Sequence, residues 1–118
     1  TADEIEEDNT IKRVKSIVVY HGYGGFYMIN LFAIVSSDPS ILKIHPNPLG
    51  DNNGWIEKVA SECNMIVFAW GAFKEAIERS KEVIKMFPNA YALYINLDGS
   101  PRHPLFCKSN SKLVKFPQ

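Results

Sequence analysis

Residues 26–35, FYMINLFAIV, constrain the fold most: the run is apolar and β-rich, with hardly any alternation. A strand with one face in water alternates polar and apolar side chains, whereas one covered on both faces does not. The run is therefore expected to be an interior strand. Two further apolar runs, residues 65–70 and 90–97, read the same way. Between the runs the period becomes helical. Ile11, Val14, Ile17 and Val18 share a helical face behind the cap residues Asp8, Asn9 and Thr10, which predicts a helix over about residues 9 to 21 that Gly22 ends. Trp55, Val59 and Ala60 suggest a short second helix. A third, amphipathic helix carries Phe73, Ile77, Val83, Ile84 and Phe87 among lysines and glutamates, opened by Gly71 and stopped by Pro88. Helices alternating with doubly covered strands imply parallel pairing through right-handed crossovers. The expected fold is α/β, a three-layer α/β/α sandwich with a mainly parallel sheet.

The chain has 118 residues, a length that fits one domain spanning 1–118. Its 13 lysines and arginines balance 13 aspartates and glutamates, which excludes a global basic field for nucleic acid or membrane, so any such binding is local. Acids gather at the start (Asp3, Glu4, Glu6, Glu7, Asp8) and lysines at the end (Lys108, Lys112, Lys115), a polarity expected of solvated ends. Cys63 and Cys107 are too few and too far apart for a thiol metal site or redox pair, and are expected to be reduced. No apolar run approaches the ~20 residues that span a bilayer. A soluble, cytoplasmic protein without a cofactor is the expectation.

In an open parallel sheet the strands' carboxyl ends share one edge, and ligands bind there. Three features belong to that edge. Asn30 is an amide inside an apolar run and must find partners for both its carbonyl and its NH2 group, either in neighbouring backbone or in a ligand. Trp70 and Gly71 close the second apolar run, and Gly71 permits close approach, although helix entry alone would also explain it. His103 follows the third run in Gly99-Ser100-Pro101-Arg102-His103-Pro104-Leu105, where two prolines limit the turn's freedom and give the imidazole one orientation. A histidine in such a loop also serves simply as a cap for backbone carbonyls. An amide beside a histidine suits the edge of a planar heterocycle. There is no Walker loop, serine nucleophile elbow or histidine pair at metal spacing. Gly22-Tyr23-Gly24-Gly25 follows a helix and precedes a strand, so it reads as a helix C-cap and turn, not as a phosphate loop. The polar stretch 36–53 is too long for a simple connector and is a candidate substrate loop.

Thr1-Ala2-Asp3, Asp8-Asn9-Thr10-Ile11, Gly22-Tyr23-Gly24-Gly25, Asn30-Leu31-Phe32-Ala33, Ser37-Asp38-Pro39, Gly50-Asp51-Asn52, Ala69-Trp70-Gly71 and the 99–105 turn together resemble a bacterial and phage family, the domain of unknown function numbered sixteen forty-three. That resemblance covers nearly the whole chain and implies no activity. A more distant one does. The Asn30 strand, Asn53-Gly54-Trp55, Val67-Phe68-Ala69-Trp70-Gly71 and His103-Pro104-Leu105 resemble, in order, landmarks of uracil-DNA glycosylases. The likeness implies that Asn30 reads a base edge and that His103 stabilises charge on a departing base. Arg102 is a candidate phosphate contact on our own reading. The family begins with a strand and an Asn-Pro-Ser ahead of Thr-Ala-Asp, so the sheet is expected to lack its first strand and the motif that positions water. The gap is expected to be filled by pairing with another chain, which would give a homodimer, by a rearranged neighbour, or by native residues ahead of Thr1. Leu105 and Phe106 stand where the glycosylases have Ser-Pro.

Two functions follow as expectations. The favoured one is binding of a nucleobase or nucleotide-like ligand, with Asn30, Trp70, Gly71, Arg102 and Pro104 as ligand-binding residues. The alternatives are a glycosylase-type hydrolase acting on a base in nucleic acid or a nucleotide, and a non-catalytic interaction module. The hydrolase needs a water-activating group, for which Asp3, Asp8 and Asp51 are the available acids. Asp8 is its candidate beside His103.

Overall fold

A computed structural model describes residues 2–28, 52–72, 74 and 77–117, with side chains of the first helix from residue 9 onward. Helix α1 runs Ala2–Tyr20, well ahead of the cap-based start at residue 9. The acids at positions 3 to 8 are the reason: negative charge in the first turns complements the helix dipole, so the helix continues through them. Asp8 is consequently a mid-helix residue and not a cap. Thr10 and Ile17 are buried, and with Val14 and Val18 they form one face. The helix stops as expected. The Tyr23 N–H donates to Val18 O at 3.1 Å and the Gly22 N–H to Val19 O at 3.0 Å, a Schellman closure that requires the positive φ of Gly22, +82°.

Helix α2 is Asn52–Ala60, strand β1 Val67–Phe68 and helix α3 Ile77–Met86. Strand β2 is Tyr91–Ala92, Pro104–Phe106 forms a 3-10 turn, and β3 is Val114–Lys115. On α3, Val83 and Ser80 are buried, Arg79 pairs with Glu82 at 3.0 Å from a mostly covered position, and Lys81 pairs with Glu78 at 3.0 Å in solvent. Among the described residues, the expected strand at 26–35 is represented by 26–28 alone, which carry no strand assignment, and its remainder lies outside them.

The three strands lie in the order β1-β2-β3. β1 and β2 are parallel, with Val67 opposite Tyr91 and Phe68 opposite Ala92. β2 and β3 are antiparallel, with Tyr91 opposite Lys115 and Ala92 opposite Val114. The sheet is therefore mixed, not mainly parallel. The physical reason is the connection: β1 and β2 are joined through α3, as a parallel pair needs, whereas the chain beyond β2 first reverses in a hairpin that bridges Ile95 to Pro101, and a strand returning without a crossover helix pairs antiparallel. The tail is also less solvated than its lysines suggest. Phe116, 5% exposed, meets Phe68 edge-on at 5.1 Å between ring centres, and its N–H donates to Ala90 O at 2.9 Å.

Two buried clusters hold these elements. Phe68, Ala92 and Phe116 pack with Ile56 of α2 and Val83 of α3, and Trp70 and Phe87 lean against them. Leu93, the residue after Ala92, packs instead with Ile17 of α1 and with Cys107. Adjacent residues of one extended segment thus feed different clusters, as the alternation of side chains along a strand dictates. The described residues form a mixed α/β fold, and no helix among them is long and apolar enough to cross a membrane.

Candidate functional site

Because β1 and β2 are parallel, the segments that leave them emerge at the same edge of the sheet. From β1 the chain passes Trp70 to Gly71. From β2 it makes a hairpin, with Ile95 bridged to Pro101 and the Asn96 N–H donating to Ser100 O at 2.9 Å, before reaching His103. Gly99 sits in that turn at φ +88°. The two exits are joined directly: the Gly71 N–H donates to the carbonyl of Pro101 at 2.9 Å, and the Pro101 side chain is fully buried. Residues far apart in sequence are thereby brought together.

Gly71 is needed here for two reasons, neither of them helix entry. Its φ is +85°, a left-handed conformation that L side chains rarely adopt, and a Cβ placed on it would lie 3.2 Å from the Cβ of His103. The expectation that Gly71 opens α3 is replaced by this one, since α3 starts only at Ile77. Gly71 is the surface on which His103 rests.

His103 has extended backbone and caps the 3-10 turn, accepting at Nδ1 from the Leu105 N–H at 3.2 Å. This bond caps an N–H. An accepting Nδ1 carries a lone pair, so the neutral ring bears its hydrogen on Nε2. The turn is closed by the Phe106 N–H donating to His103 O and the Cys107 N–H to Pro104 O, both at 3.0 Å. Arg13 of α1 anchors it from outside, donating through Nη1 to Cys107 O. Burial pushes the Cys107 thiol up, against the smaller opposing pull of the Arg102 and Arg13 guanidiniums.

The described residues border a cavity of about 900 Å³, and Trp70, His103 and Pro104 stand on its wall. Trp70 is fixed by its neighbours, its ring centre 4.7 Å from that of Phe68 and 6.4 Å from that of Phe116. The α1 face, Thr10, Val14, Ile17 and Val18, forms another side. The lining also includes Glu62, which sequence reasoning did not single out. Glu62 accepts from the Tyr27 hydroxyl at 3.1 Å, but it precedes β1 and so belongs to the opposite, amino edge of the sheet from His103. Nothing in its sequence context marks it.

Of the residues expected at the site, the structure thus brings together Gly71 and His103, with Trp70 and Pro104 beside the same cavity. Arg102 lies off the cavity wall: its guanidinium carbon is 3.9 Å from the centre of the exposed Tyr94 ring, and its Nε donates to Asn96 Oδ1 at 2.8 Å. Asn30 and residues 36–51 of the candidate loop, Asp51 included, lie outside the described residues, and the loop's last two residues, 52 and 53, instead open α2. Asp8 is placed on α1 by its backbone alone. Among the described residues no group of three His, Cys, Asp or Glu side chains could hold a metal ion.

One comparison is decisive for kinship. The sequence profile of the family described as "Protein of unknown function (DUF1643)" matches residues 1–105. The chain belongs to that family. The match spans the Trp70-Gly71 exit, the hairpin and His103, so the parts that meet at the carboxyl edge lie within the family's domain, while β3 lies beyond the matched residues. No curated protein and no solved structure matches the chain, and the likeness to uracil-DNA glycosylases receives no support from these comparisons.

Proposed function

We propose that this member of the DUF1643 family binds a nucleobase or nucleotide-like ligand at the carboxyl edge of its sheet. The observation that carries the reading is the seating of His103 on Gly71 beside the cavity wall that Trp70 and Pro104 also form. A planar, partly polar ligand suits such a place: an indole offers a flat apolar surface, and the imidazole beside it a polar aromatic one. Asn30 supplies the second polar contact in this reading. The two clusters fed by Ala92 and Leu93 support a three-layer α/β/α arrangement around the site.

Binding is favoured over base excision for one reason. The one carboxylate on the cavity wall among the described residues is Glu62, at the wrong edge of the sheet to activate water beside His103. The hydrolase reading depends instead on Asp8.

The test is fluorescence titration of a Trp55→Phe variant, in which Trp70 is the sole tryptophan, with uracil and the common nucleosides. Saturable quenching that His103→Ala abolishes is the expected result. Absence of saturable quenching by every compound would overturn the reading. Release of a free base from a uracil-containing oligonucleotide, lost in Asp8→Asn, would favour the hydrolase.

A further inference from the structure

A long cationic side chain on a protein surface samples many rotamers, and a ligand that fixes it must overcome that lost freedom. Arg102 is already fixed. Its backbone N–H donates to Tyr94 O at 2.8 Å, which sets the base of the side chain. Its Nε donates to Asn96 Oδ1 at 2.8 Å, and the flat guanidinium covers the Tyr94 ring at 3.9 Å. Asn96 is held in turn, its Nδ2 donating to Ser100 Oγ at 3.0 Å, and the Ser100 hydroxyl and N–H donate to Asp98 Oδ1 at 2.6 and 2.9 Å. Each donor meets an acceptor in one direction. Arginine has no acceptor, so Asn96 must turn its oxygen to Arg102 and its NH2 to Ser100, whose hydroxyl hydrogen is left for Asp98.

These contacts use Nε and one face of the guanidinium. The terminal Nη groups make no hydrogen bond or ion pair with the described residues, whose ion pairs are Arg79–Glu82 and Lys81–Glu78. The turn's own carboxylate, Asp98, is held below the usual carboxylate range by its bonds from Ser100, with no part played by Arg102. A second positive charge stands on the same side of the fold, because Arg13 is tied to Cys107 O and both guanidiniums act on the Cys107 thiol. Lys12 and Arg13 also edge a small polar crevice with Ser16 and Ser109. Among the described residues Arg102 therefore carries a fixed fork with no ionic partner, in a locally positive setting of a chain with no net charge.

We propose that Arg102 is a phosphate-binding residue, oriented by Tyr94 and Asn96, on the outer side of the hairpin and apart from the cavity. The fork matches two oxygens of one phosphate, and the second guanidinium acting on the same Cys107 thiol adds positive charge for it. The phosphate belongs either to a free nucleotide or to the phosphodiester backbone of a strand. This assignment goes beyond the cavity reading and does not depend on it. Phosphate-free nucleosides report on the cavity, whereas inorganic phosphate reports on Arg102.

The experiment follows the arginine Nε–Hε signals of the ¹⁵N-labelled protein during titration with inorganic phosphate, with acetate as the control anion. A saturable shift of the Arg102 signal is expected, with Arg79 unmoved and acetate weaker. Arg102→Lys keeps the charge but loses the fork, and should weaken phosphate binding by about tenfold with the amide spectrum otherwise preserved. Tyr94→Phe should bind as the parent does, and Asn96→Ala more weakly. A nucleoside 5′-monophosphate that gains affinity over its nucleoside identifies a free phosphate as the source, and an equal gain by a dinucleoside phosphodiester identifies a strand. A non-saturating shift, an equal response to acetate, or full binding by Arg102→Lys would overturn the proposal.

Discussion

Replacing Gly71 by alanine tests the link between the two strand exits. Gly22, Gly71 and Gly99 have nearly the same positive φ, +82°, +85° and +88°, so alanine pays the same conformational strain at each, about 1–2 kcal/mol. The stiffer unfolded chain offsets about 0.4–1 kcal/mol of it. Their surroundings differ. A Cβ at Gly22 or Gly99 meets nothing within 4 Å, whereas at Gly71 it meets the His103 Cβ at 3.2 Å. That atom is fixed to backbone between Pro101 and Pro104 and cannot swing away, so overpacking adds about 1–3 kcal/mol. The expected cost is roughly 1 kcal/mol for Gly22→Ala and Gly99→Ala, and roughly 2–4 kcal/mol for Gly71→Ala. For a domain of this size each kcal/mol lowers Tm by about 4 °C. Thermal unfolding of the three variants supplies the magnitudes, and ¹H–¹⁵N spectra supply the location, since Gly71→Ala alone should move the His103 and Leu105 signals. Equal melting temperatures for Gly71→Ala and Gly99→Ala, with His103 signals unmoved, would refute the reasoning.

Three further outcomes are expected. His103→Ala removes the acceptor for the Leu105 N–H and should cost only about 1 kcal/mol, whereas Trp70→Ala empties space against Phe68 and Phe116 and should cost about 2–3 kcal/mol for a half-buried ring; urea unfolding of both variants checks the contrast. Asp98 has its folded pKa lowered, first by the Ser100 hydroxyl and then by the Ser100 N–H, so its contribution is present above the unfolded pKa and is lost as pH falls through the folded one. In Ser100→Ala the Asp98 carboxyl should titrate at higher pH, read by its ¹³C shift. The Cys63 and Cys107 thiols are both pushed up, chiefly by burial, but Cys63 is half-buried and Cys107 is 6% exposed. A thiol reagent should label Cys63 in the native protein and Cys107 only on unfolding, and simultaneous native labelling would contradict the packing of Cys107 against Ile17 and Leu93.

What the sequence determined on its own is local. The period of Ile17 and Val18 and the glycine after them predicted a helix with a Gly22 closure, because side-chain spacing and a left-handed cap are properties of a few consecutive residues. Pro101 and Pro104 marked a stiff turn for the same reason. The apolar runs located β1 and β2 but overstated their length, since the run 90–97 turns away at the hairpin that Gly99 permits. The acidic start looked like a solvated end and proved to be the first turns of α1.

What only the tertiary structure decided are the meetings between distant segments. Leu113 to Phe116 is too short for its alternation to stand out from a lysine-bearing tail, and only the cluster of Phe68, Trp70 and Phe116 makes it a strand. Gly71 has an adequate local explanation as a helix opener, and the true one, a His103 that needs its space, appears only when β1 and β2 lie parallel. Arg102 beside His103 looked like part of one pocket, yet the hairpin turns it onto Tyr94 and off the cavity wall. Local conformation depends on neighbours in sequence, whereas a site depends on which strand ends share an edge, and that is settled by pairing and burial across the whole fold.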